Sequence, residues 1–424
     1  MEIAVAFGKS GLKLDLPEGP NYQVINVHDA VPVDDAPAAI VNALKNPIGS
    51  PALAELARGR KSAAISVCDI TRPAPNRVTL PPLLAELQRA GIVREDITIL
   101  IATGLHRPAT PEELDTILGP EIAATYRIVN HDARSTEDNR FIGTTKRGTP
   151  VYIDRGLLDA DLHITLGFIE QHLMLGFSGG RKLVAPGVAG QETIKTIHSP
   201  RFMRESLATE GSIENNPLHA ELLEIAAMAG HHFMLDVTLD KARNITGIFA
   251  GDPVQAHAAG VNFLRSSSLK ELPGLVDAVI TSAAGYPLDM TFYQTVKGVT
   301  AVQHFVKPGG KILIVSECQE GVGSPEFANK VRGYKGPQEF LDEIANTPVE
   351  IDQWQLEKLA MVSLRNPVSF YVPGIPSAEL GGMAQNAFST AAAAIANLLE
   401  GLPAGATVAV VPDGPYAYAR AKSE

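Results

Sequence analysis

The stretch GFIEQHLMLGFSGGRKLVAPGVAG, residues 167–190, gathers His172, the glycines Gly176, Gly179 and Gly180, and Lys182 into one short run. Histidine is the side chain whose proton moves near neutral pH, so His172 qualifies as a general acid or base. Glycines adopt backbone conformations closed to other residues, so Ser178, Gly179 and Gly180 can turn their N–H groups toward a phosphate. Lys182 lies between that turn and apolar Leu183 and Val184. Either it is one of two solvated cations on a tight turn, or it is partly desolvated and nucleophilic toward a carbonyl-like or thioacid carbon.

Two further histidines sit where the chain turns, His106 in ATGLHRPAT and His198 in TIHSP. One histidine in such a place is more often a hydrogen-bonding loop residue; three near strand ends or loops point to a shared site. Imidazole suits nickel, zinc, copper and iron alike, so these residues do not name a metal. The segment CDITRPAP adds Asp69 and Arg72. GYPLDMTFYQTVKG, residues 285–298, reads as a turn followed by a helix with Gln294 and Lys297 on one face. With the Arg72 fork they can grip a carboxylate, or they form an ordinary solvated face. No Walker loop, GxGxxG, HExxH, CxxC or EF-hand loop occurs, which weakens ATPase and dinucleotide readings.

The elements that must position these residues are short Val- and Ile-rich runs, at 62–70, 97–104, 162–168, 277–283, 311–317 and 407–414, alternating with helical patterns. Between the first two, PPLLAELQRAG places Leu83, Leu84 and Leu87 on one helical face before Gly91. The pattern predicts an α/β protein with largely parallel sheets, whose ligands gather beyond the carboxyl ends of strands. Three of the runs lead directly into CDITRPAP, ATGLHRPAT and GFIEQH, so Asp69, Arg72, His106 and His172 are expected at one sheet edge. A length of 424 residues predicts two domains, and the Pro-Gly turn in LKELPGLVDA divides them into 1–272 and 273–424.

A net charge of -11 makes nucleic acid and anionic membrane poor partners. Cys68 and Cys318 lack the spacing of a zinc site, and no disulfide framework is indicated. Without a signal-like N-terminus or a membrane-length apolar run, the chain reads as soluble and cytoplasmic.

In their order and spacing, DITRP, TGLHRP, the 167–190 segment, IHSP, YQTVKG and DQWQ resemble the lactate racemase family over nearly the whole chain. The resemblance implies two α/β domains with the active site in the cleft between them. It also implies racemisation or epimerisation of a 2-hydroxy acid through a 2-keto acid. The cofactor implied is a nickel-pincer nucleotide, nickel pyridinium-3,5-bisthiocarboxylate mononucleotide, made by separate cofactor-biosynthesis proteins. Lys182 would hold it covalently, and His198 would be the protein ligand of nickel. His106 and His172 would be the acid/base pair, and Asp69, Ile70, Thr71 and Arg72, with Ser178, Gly179 and Gly180, would line the cofactor. Arg72, Gln294 and Lys297 would contact the substrate. Apart from the resemblance, Tyr286, Phe292, Tyr293 and Trp354 are candidates to shape a pocket, although a single indole such as Trp354 is more often a core residue. Two rivals stand beside this expectation: a hydrolase or lyase whose histidine-bound metal activates water, and a non-catalytic protein that binds a small anion.

Overall fold

The computed structural model describes residues 1–27 and 30–422. The chain forms two compact units, one of Asp29–His198 and Glu205–Ser267, the other of Met1–His28, Ser199–Arg204 and Ser268–Glu424.

The first unit is built on a six-stranded sheet in the order Ile245–Gly251, Phe233–Leu239, Leu162–Phe168, Ala63–Cys68, Ile97–Ala102, Arg127–Asn130. Every neighbouring pair is parallel except the first, which is antiparallel. Ala63–Cys68 and Leu162–Phe168 are buried along their whole length, as expected of parallel strands covered on both faces. The helix Asn76–Arg89 packs on this sheet through Leu80, Leu83, Leu84 and Leu87, one stripe at helical spacing. It begins at Asn76 rather than Pro81 because buried Thr79 and Leu80 extend the stripe backwards, and both prolines lie inside it.

The second unit carries a five-stranded, wholly parallel sheet in the order Val368–Tyr371, Val306–Val315, Val276–Ser282, Thr407–Val411, Asn21–Val24. Its core joins Val279, Ile312 and Ile314 to Phe292, Val296 and Val299 of the helix Phe292–Val302. Pro308, Gly309 and Gly310 lie within the strand Val306–Val315, whose pairing shifts register between Val276 and Ala278.

The division differs from a single cut after residue 272. Asn21–Val24 pairs with Thr407–Val411, and the backbone N–H of Ala6 donates to Pro412, so the first residues of the chain join the C-terminal sheet. Parallel pairing needs no sequence proximity, so no local pattern announces it. A fragment of residues 273–424, lacking this edge strand, is expected to show no cooperative thermal transition by circular dichroism. A sharp two-state melt of that fragment would contradict the assignment.

Candidate active site

The parallel registers set Cys68 beside Ala102 and Val67 beside Leu166, so the residues that follow these strands leave the sheet at one edge. After Cys68 the chain turns, the N–H of Arg72 donating to the Asp69 carbonyl at 3.2 Å. After Ala102, the N–H of His106 donates to Thr103, and the N–H of Gly104, at φ +55°, donates to Gly187. The two turns meet in a 2.7 Å contact between His106 Nδ1 and Asp69 Oδ2, while Thr71 Oγ1 donates to Asp69 Oδ1 at 2.7 Å. Burial pushes the Asp69 carboxyl up, but hydrogen bonds from His106 and Thr71 and the charge of Arg72 outweigh it and hold the group below its ordinary value. An ionised Asp69 can only accept, so Nδ1 of His106 carries the proton and Nε2 of the neutral ring carries the lone pair. Asp69, expected to line a cofactor, thus orients the His106 imidazole. Ile70 packs against the core.

After Phe168 the chain makes a small hairpin, Gln171–His172 pairing with Gly176–Phe177, and the N–H of Met174 approaches His172 Nδ1 at 3.5 Å. Gly176 has φ +74°, and a Cβ there would lie 2.0 Å from the Ser212 carbonyl oxygen, so only glycine fits. Ser178 braces the base of the hairpin, its Oγ receiving the Glu170 N–H and donating to the Phe168 carbonyl. The N–H of Gly180 goes to Asp236 Oδ2 at 2.7 Å, and a Cβ on Gly179 would lie 2.2 Å from the same oxygen. At Gly180, therefore, the N–H expected for a phosphate is engaged by a buried carboxylate. Burial pushes that carboxyl up to about 7, against the pull of the Gly180 N–H and Arg181.

Arg181 is the residue the sequence reading misjudged. It is not a solvated cation but 1 % exposed, donating from Nη1 to the Ser178 and Gly179 carbonyls and from Nη2 to those of Leu175 and Phe177. Burial pushes it down to about 9, so it stays charged at neutral pH.

Lys182 follows in a short 3-10 turn, Gly180–Leu183. Its amine is pushed down to about 7, by burial first and by the Arg72 charge second. His198 caps the helix Gln191–Ile197 and donates from Nδ1 to the Ile194 carbonyl at 2.7 Å. Burial pushes it down to about 4, and the charge of Lys182 acts in the same direction. At neutral pH the ring is uncharged, with its lone pair on Nε2. Asp69, Arg72, His106, His172, Lys182 and His198 all belong to the six-stranded unit. Gln294 and Lys297 lie on the helix Phe292–Val302 of the other unit, where Gln294 Oε1 is buried without a hydrogen-bond partner among the described residues. In that unit Trp354 Nε1 donates to the Tyr293 hydroxyl at 3.3 Å, and Tyr286 is 47 % exposed.

A family model described as the lactate racemase N-terminal domain matches residues 7–211, and one described as the lactate racemase C-terminal domain matches 273–416. The chain belongs to the lactate racemase family. It is therefore an isomerase by family. A lactate racemase of Thermoanaerobacterium thermosaccharolyticum is 37% identical over 372 residues, 86% of this chain and 87% of that protein. One of Lactiplantibacillus plantarum is 37% identical over 381 residues, 88% and 89% of the two chains. The solved lactate racemase apoprotein from T. thermosaccharolyticum superposes with a TM-score of 0.91 at 32% identity, covering 99% of this chain and all of that one. A Thermotoga maritima crystal structure at 18% identity, TM-score 0.68, covering 91% and 98%, shares the fold. Among the described residues no helix is long and apolar enough to cross a membrane.

Competitive acylation of the apoprotein between pH 5 and 11 should give Lys182 an apparent pKa near 7, well below the roughly 10.4 of an ordinary lysine. Arg72→Met removes a neighbouring cation and should raise that value. Titration of Lys182 together with surface lysines would show that burial does not tune it.

Proposed function

We propose that the chain interconverts the enantiomers of lactate, or of a related short 2-hydroxy acid, using a nickel-pincer nucleotide as resident cofactor. The observation that carries this reading is an amine pushed down to about 7 accompanied by an imidazole held neutral, in a chain of this family. Both residues fit the group. A neutral amine can attack a thioacid carbon, so Lys182 would hold the nucleotide through a thioamide link. A neutral imidazole whose Nδ1–H is committed to a carbonyl presents Nε2 to a metal, and imidazole suits nickel. Among the described residues no three His, Cys, Asp or Glu side chains cluster as a cage, so His198 would be one donor beside those of the nucleotide. When bound, the cofactor supplies a hydride acceptor that gives back what it takes.

The protein's own groups manage the proton and the substrate. Taking the α-proton of a 2-hydroxy acid would place a carbanion beside a carboxylate. Loss of hydride from that carbon, with the hydroxyl proton passing to a base, gives a stable 2-keto acid instead. His106, with Nδ1–H held by Asp69, takes the hydroxyl proton of one enantiomer at Nε2, and His172 serves the other. The second imidazole would give its proton to the keto oxygen when the planar keto acid is reduced from its opposite face, which would complete the inversion. Arg72 would orient the carboxylate and stabilise alkoxide-like charge. The cofactor comes from separate biosynthetic proteins, and we place the reaction in the cytoplasm, in keeping with two buried, reduced cysteines.

Protein co-expressed with the cofactor-making proteins should carry a mass adduct on Lys182 and nickel, and should racemise an enantiopure 2-hydroxy acid on chiral chromatography. His106→Ala and His172→Ala should each lower that rate by roughly 10²–10⁴-fold with the adduct retained. Full activity in either variant would remove that residue from the acid/base pair. Enantiomers have equal free energies, so kcat/KM must be the same in both directions at every pH. Asp69 backs His106 and not His172, so Asp69→Asn should lower kcat/KM equally for the two enantiomers while changing their separate kcat and KM values unequally. Identical changes in both kcat values would show that Asp69 does not serve one histidine alone.

A further inference from the structure

Thr71, expected to line the cofactor, directs both of its donors at a neighbouring carboxylate. Its hydroxyl donates to Asp69 Oδ1 at 2.7 Å, and its backbone N–H approaches the same oxygen at 3.3 Å. The other oxygen, Oδ2, meets His106 Nδ1 at 2.7 Å. Thr71, Asp69 and His106 all belong to the six-stranded unit, and each link between them is a direct contact. Asp69 is buried, while Thr71 lies at the surface of its turn.

An aspartate commonly accepts the N–H two residues on, and that bond alone suffices to close such a turn. The Thr71 hydroxyl therefore adds something the turn does not need. A carboxylate spreads one negative charge over two oxygens, so a donor on Oδ1 stabilises the charged form and leaves less of that charge for a partner on Oδ2. His106 is that partner. When its ring takes a proton at Nε2 it becomes a cation against Oδ2, and the charge on that oxygen decides how well the cation is stabilised. The other ionisable groups that Asp69 feels are Arg72, which acts in the same sense as the hydroxyl, the Cys68 thiol, kept protonated by burial, and Arg107 and Glu113, which are paired with each other. We infer that Thr71 is a positioning residue for His106: by claiming Asp69 Oδ1 it aims Oδ2 at the ring and limits the charge the ring meets. The inference rests on His106 serving as an acid/base group in the proposed reaction.

The test follows the ring-nitrogen resonances of isotope-labelled histidine in the apoprotein, with His106 assigned by its loss in His106→Ala, together with the pH dependence of kcat/KM in the nickel-loaded enzyme. Thr71→Val keeps the side-chain shape and removes the donor. With the ring neutral, the His106 Nδ1 resonance should move downfield, the mark of a stronger bond to a more charged acceptor, and the Asp69 carboxyl should titrate higher than in wild type. One limb of the kcat/KM profile should move upward by roughly 0.5–1 in pH, alike for both enantiomers. Thr71→Ser restores the hydroxyl and should restore all three readouts. Thr125→Val, which removes a hydroxyl bonded to the Glu121 carbonyl, should change none of them. An unmoved His106 resonance in a stably folded Thr71→Val apoprotein would overturn the positioning role, and loss of nickel or of the Lys182 adduct in the same variant would give the hydroxyl to the cofactor instead. A shifted resonance with an unmoved pH profile would overturn the acid/base assignment of His106, and the catalytic meaning of the inference with it.

Discussion

The segment from Phe168 to Val184 must follow an irregular path under cover, and one buried guanidinium makes that possible. Backbone groups removed from water have to be paired, and outside a helix or sheet the partners must be supplied individually. Arg181 supplies four donor contacts, to the carbonyls of Leu175, Phe177, Ser178 and Gly179, and Asp236 accepts the N–H of Gly180. The arrangement closes only if the chain comes within contact of both groups, so Gly176 and Gly179 occur where any side chain would strike the Ser212 carbonyl or the Asp236 carboxylate. His172 and Lys182 are then fixed by the same scaffold, ten residues apart in sequence. Arg181 and Asp236 also favour each other's charged form, against the burial of both.

The same burial sets the chemistry of the neighbouring groups. Lys182 and His198 are both pushed toward their neutral forms, the amine by removal from water and the nearby Arg72 charge, the imidazole by removal from water and the Lys182 charge. Neutral forms are what a nucleophile and a metal ligand both require. Asp69 shows the opposite balance. It is as deeply buried as its neighbours, yet two hydrogen-bond donors and a cation keep it ionised. One sheet edge thus carries a neutral cationic-type residue and a charged acidic one, and the difference lies in whether compensating partners reach the charged form.

Much of this was legible in the sequence, for identifiable reasons. The runs at 62–70, 97–104 and 162–168 are mostly apolar, as covered parallel strands are, and their polar sequels fall on one edge because parallel strands point the same way. The strand Asn21–Val24 was not legible. Its sequence NYQV is largely polar, it lies at the sheet edge with its residues at least partly exposed, and its partner is nearly four hundred residues away. Arg181 was misjudged because its partners are backbone carbonyls, which leave no mark in side-chain spacing. A visible signal did exist in FMLDVTL, residues 233–239, where an aspartate interrupts a strand-like apolar run. A buried carboxylate needs donors or a cation, and an arginine in a glycine-rich turn was an available source.

Exposure divides the histidines according to the work the proposed reaction assigns them. A group that exchanges a proton with substrate in every turnover ends each cycle in the wrong state for the next molecule of the same enantiomer, and must reset through water. The His106 side chain is 46% exposed, although its supporting Asp69 is buried, so its Nδ1 is fixed from within while the ring remains open to solvent. A metal ligand has the reverse requirement, since a competing proton or water would displace it, and His198 is only 9% exposed. The loops after neighbouring parallel strands can satisfy both demands within a few residues: the sheet edge anchors each turn, and the depth to which the turn is packed decides which side chains meet solvent.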